Sequence, residues 1–375
     1  MKIAYCADSA IPSRAANSVH VMKMCAAYTG CGQDVTLVHA KREFEESGVG
    51  DVFEFYGLEA RFPIVQLPRI RGPLRKSQYG WYAARAARKL QPDLLHSRSL
   101  ACCFFGALLG MKVAYEPHLP EESLLARRLL PVLLRHPGFL QLVVITEALG
   151  RFYKERYPTI RGRITVAPDG ADAATECEPV RLDPAGKMHV GYVGHLYAGR
   201  GVEILAAAAE SCPWAHFHFV GGLPEDIDRW RKQLEPLGNV TFHGFVSPRQ
   251  AEQYRKAFDV LVAPYQRKVS FHLGGDLDTA RWMSPLKLFE YMAVGKPIIA
   301  SRLPVLEEVL SDGETALLCE PDRAEDWVRK LELLKADAAL RSRLGERARK
   351  VFLERYTWRT RAERILAASS DRLGV

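Results

Sequence analysis

A lysine and a glutamate three residues apart stand early in one helical stretch, Ser284-Pro285-Leu286-Lys287-Leu288-Phe289-Glu290-Tyr291-Met292-Ala293-Val294-Gly295-Lys296-Pro297. Ser284 is a good N-cap and Pro285 suits the first helical position. That register puts Lys287 in the first turn, beside backbone N–H groups without helical acceptors and at the positive end of the helix dipole. A cation placed there can meet a diphosphate. Glu290 is its neighbour on the same face, and a carboxylate there can accept hydrogen bonds from both hydroxyls of a ribose. Gly295 ends the helix ahead of a buried strand at Pro297–Ala300. A solvated Lys–Glu pair on an ordinary helix has the same spacing, so this stretch alone does not decide the chemistry.

Two further constellations bear on it. Gly191-Tyr192-Val193-Gly194-His195-Leu196-Tyr197-Ala198-Gly199-Arg200-Gly201 reads as a strand, a glycine-rich turn and the entry to a helix at Val202–Ala209. Glycines let backbone approach a phosphate, and Arg200 at the helix entry offers bidentate donors to its oxygens. Many sheets use such turns structurally. Tyr115-Glu116-Pro117-His118 closes a strand in the first half, where His118 can hydrogen-bond a sugar hydroxyl, though a lone histidine is commonly a satisfied structural residue.

Those residues need elements to hold them. Short β-branched runs alternate with amphipathic helical stretches, the pattern of parallel α/β sheets. Strands are expected at Lys2–Ala7, Asp34–Ala40, Pro63–Leu67, Asp93–Ser97, Lys112–Glu116, Leu142–Ile145 and Arg163–Val166, with helices such as Ser18–Thr29 and Ser77–Leu90 between them. A second series runs through His189–Val193, His216–Val220, Val240–Phe242, Asp259–Ala263, Pro297–Ala300 and Ala316–Leu318. Ala173–Lys187, polar and weakly patterned, lies between the series as a linker. The reading is thus of two doubly wound domains in tandem, residues 1–175 and 188–355, with 176–187 linking them. A last helix from about Trp358 to Leu373 packs back toward the first domain. Such sheets bind ligands at the carboxyl ends of their strands, and two of them facing each other make a cleft for two substrates.

Composition sets the outer bounds. At 375 residues, with 48% hydrophobic and 26% charged residues, the chain has room for two soluble cores. No apolar run is long enough to span a membrane, and Met1-Lys2 leads directly into a strand pattern with no signal-peptide cleavage site, so a cytoplasmic protein is expected. The eight cysteines are scattered, with no CxxC pair and no histidine at zinc spacing. They read as reduced and structural, and no metal site is expected. A net charge of +8 asks for anionic company. No nucleic-acid module is recognisable, which leaves a phosphate-bearing ligand or an acidic membrane.

In this order the motifs resemble glycosyltransferase family four, retaining enzymes of the GT-B fold, over nearly the whole chain. The resemblance takes in the loop Pro12–His20, Val144-Ile145-Thr146, Val166-Ala167-Pro168-Asp169-Gly170-Ala171-Asp172, Phe242-His243-Gly244-Phe245-Val246, Val262-Ala263-Pro264-Tyr265 and Tyr356-Thr357-Trp358. It implies that Glu290, the second glutamate of an E-x7-E motif, holds the donor ribose. Arg200 matches the basic residue that binds the diphosphate. Lys287 lies in an SPLK variant whose loop and helix start, Ser284, Pro285, Leu286 and Leu288 included, cover phosphates and sugar. Gly194, His195 and Gly201 line the phosphate turn, His118 sits near the donor sugar, and Gly244, Phe245 and Val246 meet the nucleobase. Three positions depart from the pattern. Trp282 stands where the first glutamate belongs, with Asp276, Asp278 or the backbone N–H groups of Met283–Leu286 as substitutes. His195 replaces the usual arginine, and Ser9–Asn17 lacks the common glycines.

The resemblance further implies a nucleoside-diphosphate sugar donor, uridine diphosphate first and guanosine diphosphate next, and no required cofactor. Arg200, Lys287 and the helix N-terminus would neutralise the departing phosphate in place of a metal, and transfer would retain anomeric configuration. Arg61–Pro92 holds eight basic residues and no acidic one, interleaved with Tyr79, Trp81 and Tyr82, and Leu124–His136 adds Arg127, Arg128 and Arg135 among leucines. That suits an anionic membrane and a glycan or lipid-linked acceptor, as well as a solvated basic face. Alternatives are a catalytically silent nucleotide-binding partner or a nucleotide-sugar epimerase. A dinucleotide-binding dehydrogenase is disfavoured because Ala7–Asn17 has no glycine.

Overall fold

The structure, a computed structural model, describes residues 1–269 and 278–374. The chain divides into two compact units, Met1–Asp169 together with the residues from Trp358 on, and Gly170–Thr357. The first unit carries β1 (Lys2–Ala7), β2 (Asp34–Ala40), β3 (Ile64–Leu67), β4 (Leu94–Ser97), β5 (Val113–Tyr115), β6 (Phe139–Val144) and β7 (Ile164–Val166) in the spatial order 3-2-1-4-5-6-7. The second carries β8 (Met188–Val193), β9 (Ala215–Val220), β10 (Val240–Gly244), β11 (Val260–Ala263), β12 (Ile298–Ser301) and β13 (Leu317–Cys319) in the order 10-9-8-11-12-13. Every paired strand is parallel. Each sheet reverses its winding beside its first strand, between β1 and β4 and between β8 and β11. That is where a doubly wound sheet opens a crevice for ligand.

The central strands are buried on both faces because helices cover both faces. Leu94–Ser97 and Val260–Ala263 are buried throughout. Phe139–Val144 begins three residues earlier than the apolar run Leu142–Ile145 suggested. The cause is Gln141, a polar residue in the strand's middle, which is fully buried between Ser369 and Thr165 and satisfied by both.

The polar stretch Ala173–Lys187 is held in place: Glu252 accepts from the Thr175 N–H at 2.6 Å, Lys256 reaches the Thr175 and Cys177 carbonyls, and Val180 N–H donates to Gln253 O at 3.4 Å. These contacts lay it along the helix Pro248–Ala257. One sequence expectation needs correction, the start of the helix carrying Lys287. It starts at Leu286, with Pro285 as its N-cap at φ −75° and ψ 119°, and Ser284 one position outside. Proline is well suited to that place because its fixed φ and missing N–H cost nothing at a helix entry.

The second unit has a feature no motif announced. His189, His218 and His243, on β8, β9 and β10, form a chain across one sheet face. His189 Nδ1 lies 2.9 Å from His218 Nε2, and His218 Nδ1 lies 3.0 Å from His243 Nε2. The Tyr254 hydroxyl closes the chain at 3.1 Å from His243 Nδ1. Burial, with the charges of His216, His243 and His189, pushes His218 down to about 3. All eight cysteines are free thiols, and no helix among the described residues is long and apolar enough to cross a membrane.

Candidate functional site

At the switch point of the second sheet, the turn after β8 and the helix Leu286–Val294 bring two basic side chains, Arg200 and Lys287, to the ring of Tyr265, which follows β11. Lys287 Nζ lies 3.8 Å from the centre of the Tyr192 ring and 5.1 Å from that of Tyr265. The Arg200 guanidinium lies 5.1 Å from the same Tyr265 ring. Aromatic faces attract cations without neutralising them. Lys287 Nζ and Arg200 Nε are both out of solvent and, among the described residues, have no hydrogen-bond partner. Burial and the Arg200 charge push the Lys287 ammonium well below its ordinary range, with only partial relief from Glu290. Buried donors with nothing to bond are costly. A bound anion would satisfy both, in the field of a helix N-terminus.

Two glycines make the geometry possible. Gly194 sits at φ 150°, and a Cβ there would lie 2.7 Å from Lys287 Nζ, so its missing side chain is the space the ammonium occupies. Gly201 caps the helix Val202–Ser211 at φ 78°, and a Cβ on it would lie 1.9 Å from Pro264 O. His195 stacks on Tyr197, with ring centres 4.8 Å apart and planes within 4°. Its ring stays partly open to solvent, while desolvation and the charges of Arg200 and Lys287 push it down to about 4. It is therefore a neutral donor or acceptor at pH 7.

Glu290 does not pair with Lys287. Its Oε2 accepts from Arg255 Nη1 at 3.1 Å, a residue that carried no signal in the sequence. Leu288 also departs from expectation. Its side chain is in the core, and its N–H is used on Pro285 O at 3.0 Å, so it has nothing to offer a ligand. Of the substitutes for the glutamate missing at Trp282, Met283 N–H is bonded to Thr279 O, and Asp278 Oδ1 accepts from Val269 and Ala280 N–H. Both are committed to the turn, and Asp276 lies outside the described residues. Gly244, at φ 75°, ends β10 and turns the chain into Phe245, which is exposed, and Val246.

The first unit holds His118 in a different environment. Its Nε2 lies 2.7 Å from Glu116 Oε1. Glu116 is fully buried and is the hub of a polar cluster: His20 Nε2 lies 3.0 Å and Arg361 Nη2 2.8 Å from the same oxygen, and His96 Nε2 2.8 Å from the other. Asp169 Oδ1 in turn lies 2.9 Å from His20 Nδ1. Burial would raise the Glu116 carboxyl, but the Arg361 charge, His20 and the bonds from His118 and His20 outweigh it and hold it well below the carboxylate range. His118 itself, desolvated and near Arg98, is pushed down to about 4. Its Nε2–H therefore donates to Glu116 and its Nδ1 is left as an acceptor.

His20, Glu116 and His118 place three ligand-type atoms within 4.8 Å of one another, a set the cysteine and histidine spacings did not suggest. The set does not fit a divalent cation. The Glu116 oxygen it would use already carries the Arg361 guanidinium at 2.8 Å, which would repel the ion. Arg361 was not legible as part of this cluster. It comes from the C-terminal helix, 245 residues away in sequence, and is itself buried.

Comparison with known proteins adds a second line. Residues 18–175 match the family described as Glycosyltransferase Family 4, and residues 178–351 the family described as Glycosyl transferases group 1. Spore coat protein SA of Bacillus subtilis is 25% identical over 255 residues, which are 60% of this chain and 64% of that one. A D-inositol 3-phosphate glycosyltransferase of Arthrobacter sp. is 26% identical over 242 residues, 60% of this chain and 54% of that one. The match thus spans about half to two thirds of these relatives' length. Among solved structures, Anabaena HepE in complex with UDP aligns with TM-score 0.73 at 17% identity over 99% of this chain and 100% of that one. A glycosyltransferase from Rickettsia africae aligns at 0.76 with 14% identity, over 99% and 98%.

Proposed function

The chain belongs to glycosyltransferase family 4, and from that premise we propose that it moves a sugar from a nucleoside diphosphate to a hydroxyl of a glycan or lipid-linked acceptor. Its fold is that of the GT-B glycosyltransferases. The observation that carries the reading is the pair of buried donors Lys287 Nζ and Arg200 Nε, without a hydrogen-bond partner among the described residues, at the switch point of the second sheet. Here the second unit is the donor domain and the first the acceptor domain. Lys287 and Arg200 stabilise the charge that develops on the departing phosphate, a role in which preorganised donors are worth about 100-fold or more in rate. The backbone of Gly194, His195 and Gly201 and of Ser284, Pro285 and Leu286 borders the phosphates. Glu290 takes the ribose, Gly244, Phe245 and Val246 the base, and His118 offers Nδ1 to a hydroxyl of the transferred sugar.

Uridine diphosphate is the first donor class to test and guanosine diphosphate the second. Structures of Anabaena HepE with UDP and with UDP-glucose support that order. In this reading Lys287 and Arg200 stabilise the departing phosphate without a metal, and, as the resemblance to family four implies, transfer retains anomeric configuration, the leaving phosphate taking the acceptor proton. The test is donor turnover by purified protein in a chelator, across a panel of sugar nucleotides with lipid-linked acceptors, the product anomer being read by NMR. A retained product without metal supports the reading. Nucleotide binding with no turnover would favour a silent partner, consistent with Trp282 in the motif. Epimerised sugar nucleotide would favour an epimerase.

Peripheral attachment to the cytoplasmic face of an anionic membrane is part of the same proposal. On the helix Leu124–Arg135, Leu124, Leu125 and Val132 are exposed beside exposed Arg127, Arg128 and Arg135, with no acidic residue. Exposed Trp81 and Tyr82 lie on the acid-free helix Arg75–Lys89. The basic run from Arg61 is less free than its sequence implied: Arg61, Arg69 and Arg75 are paired with Asp51, Glu43 and Asp8. The helix Leu124–Arg135 is therefore the stronger contact. Co-sedimentation with anionic but not zwitterionic vesicles, lost in Leu124→Glu with Leu125→Glu, is the expected result.

A further inference from the structure

We infer that Arg255 is a positioning residue for nucleotide recognition, holding the Glu290 carboxylate for a ribose and away from Lys287; this rests on the assignment of Glu290 to the ribose. Arg255 lies on the helix Pro248–Ala257 and Glu290 on the helix Leu286–Val294. The guanidinium is almost buried and donates through Nη1 to Oε2 at 3.1 Å. Glu290 Oε1 accepts nothing among the described residues, and the side chain is about one third exposed, so one oxygen is fixed and the other is left to accept from a ligand.

The sequence offers Glu290 a competing partner. Lys287 is three residues back on the same helix, the spacing at which an ion pair forms readily. If that pair formed, it would neutralise the ammonium meant for a phosphate and turn the carboxylate from the ribose. Yet among the described residues Lys287 Nζ has no acceptor, and Glu290 is on Arg255. A planar guanidinium fixes a carboxylate's orientation better than a flexible ammonium does. Arg255 therefore settles the competition, leaving an unneutralised cation beside a preoriented carboxylate. It touches neither phosphate nor sugar in this role; it acts through Glu290.

The experiment measures dissociation constants of UDP and GDP and of their 2′-deoxy and 3′-deoxy forms for wild type, Arg255→Met, Arg255→Lys, Glu290→Gln and the double variant Arg255→Met with Glu290→Gln. Wild type should prefer the ribose form of its nucleotide by about tenfold or more, as expected for hydrogen bonds to a charged group. In Arg255→Met the preference should fall to within about twofold of unity, and Arg255→Lys should restore part of it. The double variant should be no worse than Glu290→Gln. Equal weakening of ribose and deoxy forms, or an unchanged ratio in Arg255→Met, would overturn the inference and show a packing role only. Should wild type show no ribose preference, or bind neither nucleotide, the assignment of Glu290 falls first and the inference with it. If Arg255→Met does not fold, Arg255→Lys against wild type decides, because loss of the fork geometry alone should at least halve the preference.

Discussion

Replacing Arg361 by methionine should damage the first unit more than its distance from any proposed ligand suggests. The guanidinium is buried, lies 2.8 Å from the buried Glu116, and donates through Nε to Ala167 O at 3.2 Å and Pro168 O at 3.1 Å. Methionine fills much of the volume but leaves a charged carboxylate and two carbonyls short of donors. Breaking a buried ion pair from one side costs about 3–5 kcal/mol, and His20, His96 and His118 around the same carboxylate should keep the loss near the lower figure. Hydrogen exchange of the slowest amides in the helix Trp358–Leu373 reads the loss within this unit. The sign with pH follows from Glu116. Its carboxyl is held well below the ordinary range despite burial, so its stabilisation is complete at neutral pH and lost as pH falls through the folded-state value. Once Glu116 is protonated, Arg361 has less to stabilise, and the gap between wild type and variant should narrow in acid. The double variant Arg361→Met with Glu116→Gln should lose less than the two single losses added, by at least about 1.5 kcal/mol. A gap below about 1 kcal/mol at pH 7, or one that does not change with pH, would refute the reasoning.

Gly194→Ala should weaken diphosphate binding about tenfold while the fold persists, because the new methyl displaces Lys287 Nζ from the place it occupies; calorimetry together with a melting curve checks both halves. Diphosphate binding should take up a proton in mildly alkaline buffer, since Lys287 is pushed down by burial and Arg200 and an arriving anion raises it again. Titrations in buffers of different ionisation enthalpy detect that uptake, and Lys287→Met should abolish it. In the second unit, His218 is held at about 3 in the fold, below an unfolded histidine. The unfolded chain then binds the proton first, and stability should fall by up to a few kcal/mol between about pH 6.5 and 3. A His218→Asn variant should flatten that acid slope, measured by denaturation at fixed pH.

How far the sequence carried this picture depended on whether the signal was local. All thirteen strands among the described residues lie within three residues of the apolar runs that announce them, because period and length belong to the strand itself. The turn Gly194–Gly201 and the helix carrying Lys287 were legible for the same reason, since glycines and proline act on their own backbone. Burial told against Leu288 and a one-residue shift against Ser284, both matters of helix phase that only packing fixes. Arg255 and Arg361 were invisible. Each completes a pair with a residue 35 or 245 positions away, and an arginine on a helix carries no mark of which carboxylate the fold will bring to it. The histidine chain on β8, β9 and β10 was hidden likewise, because strand register aligns its members.

The central claim is that Lys287 and Arg200 form a metal-free diphosphate site, and calorimetric titration of UDP and GDP in the presence of a chelator tests it most directly. One of the two nucleotides should bind wild type, with affinity falling at least tenfold in each of Lys287→Met and Arg200→Met while both variants keep their melting temperature. Binding that requires a divalent cation, or that is unchanged in both variants, would contradict it.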